Sequence, residues 1–113
     1  MHELSLAENV VRIAAETAQR EGARRVRTVI LEIGQISHVA PEAMAFCFES
    51  VAAGTVVEGA RLEIQTVAGE GKCRDCGALL PMEDFYGVCP HCGGIDLDPT
   101  AGTEMRVKAI EID

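Results

Sequence analysis

Four of the five cysteines fall into two C-x-x-C pairs, and this spacing is the strongest chemical signal in the sequence. The pairs are Cys73-Arg-Asp-Cys76 and Cys89-Pro-His-Cys92, separated by twelve residues, and a glycine follows each pair. Two thiolates with this spacing can bind one ion from a tight turn, and four thiolates complete a tetrahedral shell with no open position. The sequence therefore predicts a structural zinc site whose ligands are Cys73, Cys76, Cys89 and Cys92.

The same four sulfurs allow two other interpretations. With iron they would form a rubredoxin-like electron carrier, and in an oxidising compartment they would form disulfides. The cysteine count is odd and the first residues do not resemble a secretory leader, so metal is favoured over disulfides. His91 lies inside the second pair and is expected to face solvent, because four cysteines already fill the shell. The fifth cysteine, Cys47, is expected to pack in the core.

The first three residues, Met1-His2-Glu3, form a second group with metal-binding chemistry. The α-amine and the deprotonated His2 amide nitrogen close one chelate ring, and that amide closes another with the His2 imidazole. Three nitrogens in one plane suit Ni(II) or Cu(II) better than zinc, and Glu3 can add a ligand through its amide or carboxylate. By itself such a histidine is weak support, because most residues near a terminus are frayed and solvated.

Hydrophobic periodicity predicts the helices that must position these groups. Apolar residues spaced as on one helical face predict a first helix over 5–21, with Ser5 as its N-terminal cap. Pro41 favours the start of a second, shorter helix that ends at Val51. On this helix Ala43 and Phe46 are expected to face inward. The first helix begins so early that the amino terminus must lie close to a helix start.

Three strands are predicted from β-branched residues and alternation, over 25–33, 60–67 and 104–112. The first has apolar residues on both faces, so both should be covered. The last two strands enclose the cysteine segment. The predicted fold class is α+β, with two helices on a roughly three-stranded sheet and an inserted four-cysteine zinc ribbon. The predicted domains are a small α/β domain of residues 1–68 and 104–113, and a ribbon of residues 69–103.

Composition excludes several functional classes. Apolar residues make up 48% of the 113 residues, which is typical of a globular chain. A formal charge of -8 disfavours nucleic-acid partners, which require clustered Lys and Arg. No long apolar run suggests a membrane span, so a cytoplasmic location is expected. The sequence has no recognisable catalytic triad and no phosphate-binding glycine loop, and the zinc shell has no open position, so the protein is predicted not to be an enzyme.

Taken together, several motifs resemble the HypA/HybF family of hydrogenase nickel-incorporation proteins. The similar segments are the opening M-H-E-L-S-L-A-E, the S-x-V-x-P-E stretch beginning at Ser37, the F-x-F-E stretch beginning at Phe46, and the two cysteine pairs. The resemblance runs the full length of the chain and is most specific at the N-terminus and at the cysteine pairs. No residue at these metal-binding positions departs from the family pattern.

The resemblance implies a nickel metallochaperone. Nickel would be bound by the Met1 amine, the His2 amide and imidazole, and Glu3, while the four cysteines would hold structural zinc. It further implies delivery of nickel, together with a HypB-type GTPase, to the large subunit of nickel–iron hydrogenase. Some relatives also support urease and some form homodimers. The alternatives left open are a rubredoxin-like iron electron carrier and a zinc-ribbon interaction module.

Overall fold

The computed structural model describes residues 3–113, and its architecture confirms the predicted α+β class. A short 3-10 turn, Gln35–Ser37, follows the first strand. The helices and strands, numbered in chain order, are α1 (Glu3–Arg20), β1 (Val26–Gly34), α2 (Pro41–Ala52), β2 (Arg61–Val67), β3 (Glu70–Cys73), β4 (Leu79–Pro81), β5 (Leu97–Ala101) and β6 (Met105–Ile112).

The strands form two three-stranded sheets among the described residues, with orders β2-β1-β6 and β4-β3-β5. The chain divides into two compact units. The first contains the chain up to Glu32 together with Val39–Gln65 and Arg106–Asp113, and the second contains Ile33–His38 and Thr66–Met105. Within residues 3–113, no helix is both long enough and apolar enough to cross a membrane.

In the first unit, α1 and α2 pack together through small and apolar side chains. The buried residues of α1 are all alanine or valine and lie on one face of the helix, so the two helices can approach closely. The buried residues of α2 are Met44, Phe48 and Ala52, which repeat every four residues. Central strand β1 buries residues on both faces, including Thr28, Val29 and Leu31, as its composition predicted.

Three local expectations from the sequence are wrong. Helix α1 begins at Glu3, so Ser5 lies inside the first turn and does not cap the helix. Phe46 does not face inward, because the buried stripe of α2 passes through Met44 and Phe48 and leaves Phe46 73% exposed. Cys47 is only partly buried, so it lies at the margin of the core.

The second unit has a small core built around its own sheet. Strand β3 pairs antiparallel with both neighbours, matching Gly71 with Leu80 of β4 and with Pro99 of β5. The five buried residues of this core are Ile36, Cys73, Leu80, Met82 and Cys89, two of which are predicted zinc ligands.

Backbone packing at three glycines draws the ends of the cysteine segment together in the second unit. A Cβ atom at Gly102, where φ is +91°, would lie 2.4 Å from the Cα atom of Gly69. A Cβ atom at Gly34 would lie 2.0 Å from the carbonyl oxygen of Gly102. The Ile36 N–H donates to the Gly102 carbonyl at 2.7 Å. Larger residues at these positions would force the backbone segments apart.

We expect replacement of Met44 and of Cys47 with Ala to affect stability differently. Met44 is fully buried, so Met44→Ala should lower the free energy of unfolding by about 2–4 kcal/mol through lost burial and an unfilled cavity. Cys47→Ala should lower it by less than about 1 kcal/mol, because that side chain is partly exposed. Urea unfolding of the zinc-loaded proteins, followed by helical circular dichroism, measures both. Equal losses for the two variants would contradict the assigned burial.

Candidate metal centre

The four paired cysteines converge on one point in the second unit. The Sγ atoms of Cys73 and Cys92 are 3.6 Å apart, and those of Cys76 and Cys89 are 3.7 Å apart. All four sulfurs lie within 4.8 Å of one another. A tetrahedral ion with metal–sulfur bonds of about 2.3 Å requires sulfur separations of about 3.8 Å. The sulfur positions therefore suit a tetrahedral metal such as zinc.

Each cysteine pair forms the same turn. The Gly77 N–H donates to the Cys73 carbonyl at 2.8 Å, and the Gly93 N–H donates to the Cys89 carbonyl at 2.9 Å. Both glycines have φ of +77°, a left-handed conformation that other residues rarely adopt. The glycine after each pair thus permits the turn that directs both sulfurs of the pair toward the same point.

Backbone amides also point at the sulfurs. The amides of Cys92 and His91 donate to the Cys89 sulfur, and despite the opposing effect of burial they lower its pKa to about 6. The Gly94 amide donates to the Cys92 sulfur at 3.4 Å, which favours the thiolate. Amide donors to sulfur are a common means of stabilising metal-bound thiolates, because they offset part of the negative charge.

Crowding of the sulfurs opposes ionisation of the Cys76 and Cys92 thiols in the absence of a cation. At Cys92 the Gly94 amide lowers the pKa, but the neighbouring sulfurs of Cys73 and Cys76 outweigh it and raise the pKa to about 12. The pKa of Cys76 is also raised, because burial and two neighbouring sulfurs outweigh the Ala78 amide. A divalent cation among the sulfurs would reverse this balance, since its charge favours deprotonated ligands.

The two pairs expose their sulfurs asymmetrically. Cys73 and Cys89 are buried, whereas Cys76 and Cys92 are exposed. His91 is exposed too, as expected for a residue outside a filled shell. Arg74, in the first turn, forms ion pairs with Asp96 and Asp98, which follow the second turn. These ion pairs link the two halves of the site, and cysteine spacing gives no indication of them.

His38 has a partner that the sequence did not indicate. Its Nε2 atom is 3.0 Å from the Asp84 carboxylate, and its ring lies 6.2 Å from that of Phe85. The Phe85 N–H also donates to Asp84 at 2.8 Å, and with the bond to His38 it lowers the pKa of this carboxyl. Both His38 and Asp84 are about half exposed, so this ion pair contributes little to stability.

The predicted nickel ligands Met1 and His2 lie outside the described residues. Glu3 is the first residue of α1 and is partly buried. Its carboxylate accepts a hydrogen bond from the Ala40 N–H at 3.4 Å, which places Glu3 beside the start of α2. The nickel site therefore stays a prediction.

Comparison with known proteins places the chain in a family. Residues 1–112 match the family model described as hydrogenase/urease nickel incorporation, metallochaperone, HypA. The chain belongs to the HypA family. It is 54% identical over 113 residues to the hydrogenase maturation factor HypA of Dechloromonas aromatica, and 50% identical over 113 residues to that of Albidiferax ferrireducens. Each alignment covers 100% of both chains.

The fold is similar to a solved HypA structure as well. The solution structure of the nickel metallochaperone HypA from Helicobacter pylori matches with a TM-score of 0.72 at 28% identity, covering 99% of this chain and 97% of that one. Two helices, small sheets and a converging four-cysteine group are thus the features expected of a HypA protein.

Replacing one exposed cysteine of the site should release its metal. Cys76→Ala should lose the bound zinc equivalent and disorder the surrounding segment, because roughly 10 kcal/mol or more of metal-binding energy also stabilises folding in a module of this size. The first unit should keep its helices. Metal analysis and amide spectra report both effects, with Cys47→Ala as the control that keeps its zinc. Full zinc content and native amide dispersion in Cys76→Ala would rule out the site.

Proposed function

We propose that this chain binds Ni(II) at its N-terminus and delivers it, together with a HypB-type GTPase, to the large subunit of nickel–iron hydrogenase. The observation that carries this proposal is the full-length match to the nickel-incorporation family in a chain that opens Met1-His2-Glu3. Nickel is cargo in this role, so the protein carries and transfers the ion and does not catalyse a reaction on a bound substrate. We extend the same proposal to urease, to a cytoplasmic location and to homodimer formation.

The nickel chelate is proposed to consist of the Met1 amine, the His2 amide and imidazole, and Glu3. Glu3 begins α1, and the first N–H groups of a helix have no acceptor within that helix. Using a nitrogen at this position as a ligand therefore leaves the hydrogen bonds of α1 intact. Because the ligands come from consecutive residues at a chain end, the ion can bind and leave without unfolding the body of the protein, as delivery requires.

The four-cysteine group is proposed to hold structural zinc. Cys73, Cys76, Cys89 and Cys92 offer four sulfurs at tetrahedral separations, and no further ligand position remains. Bound zinc would supply structural stabilisation of the second unit. The division into a nickel-binding domain of residues 1–68 and 104–113 and a zinc ribbon of residues 69–103 is part of this proposal.

An iron-containing electron carrier is the alternative that the same four sulfurs allow. Family membership supports nickel delivery instead, because the match covers the helical unit as well as the cysteine pairs. Metal analysis distinguishes the two directly. One equivalent of zinc in a colourless protein supports the ribbon as structural, whereas a coloured protein with bound iron would favour the redox carrier.

The N-terminal chelate makes a specific prediction about the first atom of the chain. Adding Gly-Ser before Met1 converts the α-amine into an amide and moves the new amine away, so specific nickel binding should be lost. His2→Ala should also lose it, because the imidazole is removed. Titration calorimetry with Ni(II) measures both, and His91→Ala is the matched histidine control that should bind like the native protein.

All three variants should retain one zinc equivalent and native circular dichroism, because the cysteine group is unchanged. Hydrogenase maturation in cells should fail with the extended protein and with His2→Ala only. Native nickel affinity in the extended protein would exclude an amine-anchored chelate and leave a site made of side chains.

A further inference from the structure

The sulfur contacts of the four-cysteine group join exposed residues to buried ones. Exposed Cys92 has its Sγ atom 3.6 Å from that of buried Cys73. Exposed Cys76 has its Sγ atom 3.7 Å from that of buried Cys89. Each contact also crosses from one C-x-x-C turn to the other. In each contact, therefore, solvent reaches one cysteine, and the second cysteine lies behind it in the other turn.

Backbone hydrogen bonds hold the two turns side by side. The Arg74 N–H, in the first turn, donates to the carbonyl of Asp96 at 2.9 Å, beside the paired strands β3 and β5. The Cys89 N–H donates to the carbonyl of Gly94 at 2.8 Å, which closes the second turn just before that segment. These bonds involve no sulfur and no ion. A disulfide between turns, with its S–S bond of about 2.05 Å, therefore needs movement of two side chains that already touch.

Oxidation by a peroxide can proceed through each of these contacts in two steps. The exposed sulfur attacks a peroxide oxygen, so that an S–O bond forms, the O–O bond breaks and hydroxide leaves. The buried sulfur then attacks the oxidised one, so that an S–S bond forms, the S–O bond breaks and a second hydroxide leaves. The two sulfurs lose two electrons, which reduce one peroxide molecule, and two protons from solvent convert both hydroxides into water.

Disulfides between the turns would replace the link that a metal ion supplies. Sulfurs in a disulfide carry no negative charge, so they release a divalent cation. The Cys73–Cys92 bond would join residues 19 positions apart, and the Cys76–Cys89 bond residues 13 apart. Both therefore restrict the unfolded chain and tie the turns together. Disulfides within each C-x-x-C pair would leave the turns unlinked around a core of only five buried residues.

We propose that the four-cysteine group is a reversible redox switch. A peroxide forms the Cys73–Cys92 and Cys76–Cys89 disulfides, releases the metal and leaves the second unit folded. The exposed cysteine of each contact attacks the peroxide, and the buried cysteine resolves the intermediate. The identity of the released ion rests on the proposed structural zinc, whereas the pairing of the cysteines rests on the sulfur positions.

The experiment treats the full-length, zinc-loaded protein with hydrogen peroxide. A chromogenic chelator follows zinc release, and fragmentation mass spectrometry after blocking of free thiols identifies the disulfides. We expect loss of the bound zinc, disulfides joining Cys73 to Cys92 and Cys76 to Cys89, and a single remaining thiol at Cys47. Reduction with a dithiol in the presence of zinc should restore the original zinc content.

The order of attack is tested with dimedone, which traps sulfenic acids. A short exposure of the zinc-loaded protein to peroxide and dimedone together should label Cys76 and Cys92, because these cysteines are exposed. Preferential label on Cys73 and Cys89 would contradict the assignment of attacking and resolving cysteines.

Two zinc-free states of the same chain separate the effect of the disulfides from that of metal loss. Peroxide-treated protein should keep dispersed amide signals for Thr66–Met105, which forms most of the second unit. Protein stripped of zinc by a chelator under reducing conditions should lose that dispersion. Cys47→Ala is the matched cysteine control, and it should release zinc at the native rate and form the same disulfides.

Three results would overturn the switch. These are zinc that excess peroxide does not release, disulfides within the C-x-x-C pairs, and equal loss of amide dispersion in the oxidised and the stripped protein. The first result would leave structural zinc standing. Conversely, the Cys73–Cys92 and Cys76–Cys89 disulfides in a protein that held no zinc before treatment would support the pairing and refute the structural zinc.

Discussion

Convergence of four sulfurs on one point is the constraint on which the second unit depends. Its core contains only five buried residues, and two of them, Cys73 and Cys89, belong to the four-cysteine group. So small a core cannot offset the loss of chain entropy on folding by burial alone. A metal ion at this point both neutralises the sulfurs and ties the two turns together.

The features that could be predicted from sequence are those set by local spacing. The two C-x-x-C pairs, each followed by a glycine with positive φ, specify their own turns, so the convergent site follows from the pattern. The helices and the three longer strands were found within about two residues because their periodicity is strong. Strands β3, β4 and β5 were not identified individually, since three to five residues carry too little alternation and their pairing depends on contacts distant in sequence.

The errors on α2 have a common physical origin. Met44, Ala45, Phe46, Cys47 and Phe48 are consecutive and all apolar, so periodicity alone cannot select the buried side. Packing against α1 selects Met44 and Phe48, and Phe46 is left on the surface.

At the start of α1, Ser5 and Glu8 have the form of a capping box, but the helix starts two residues earlier. The hydrogen bond from Ala40 to Glu3 joins segments far apart in sequence, which no local pattern predicts.

The proposed zinc and nickel sites differ in how readily each can release its ion, as their proposed roles require. A structural ion must be retained, and the cysteine ligands come from two separate turns, so complete release requires the sulfurs of both turns to leave the ion. A delivered ion must leave, and consecutive ligands at a chain end allow release with little change elsewhere. Transfer then depends on how close a partner can come to that chain end.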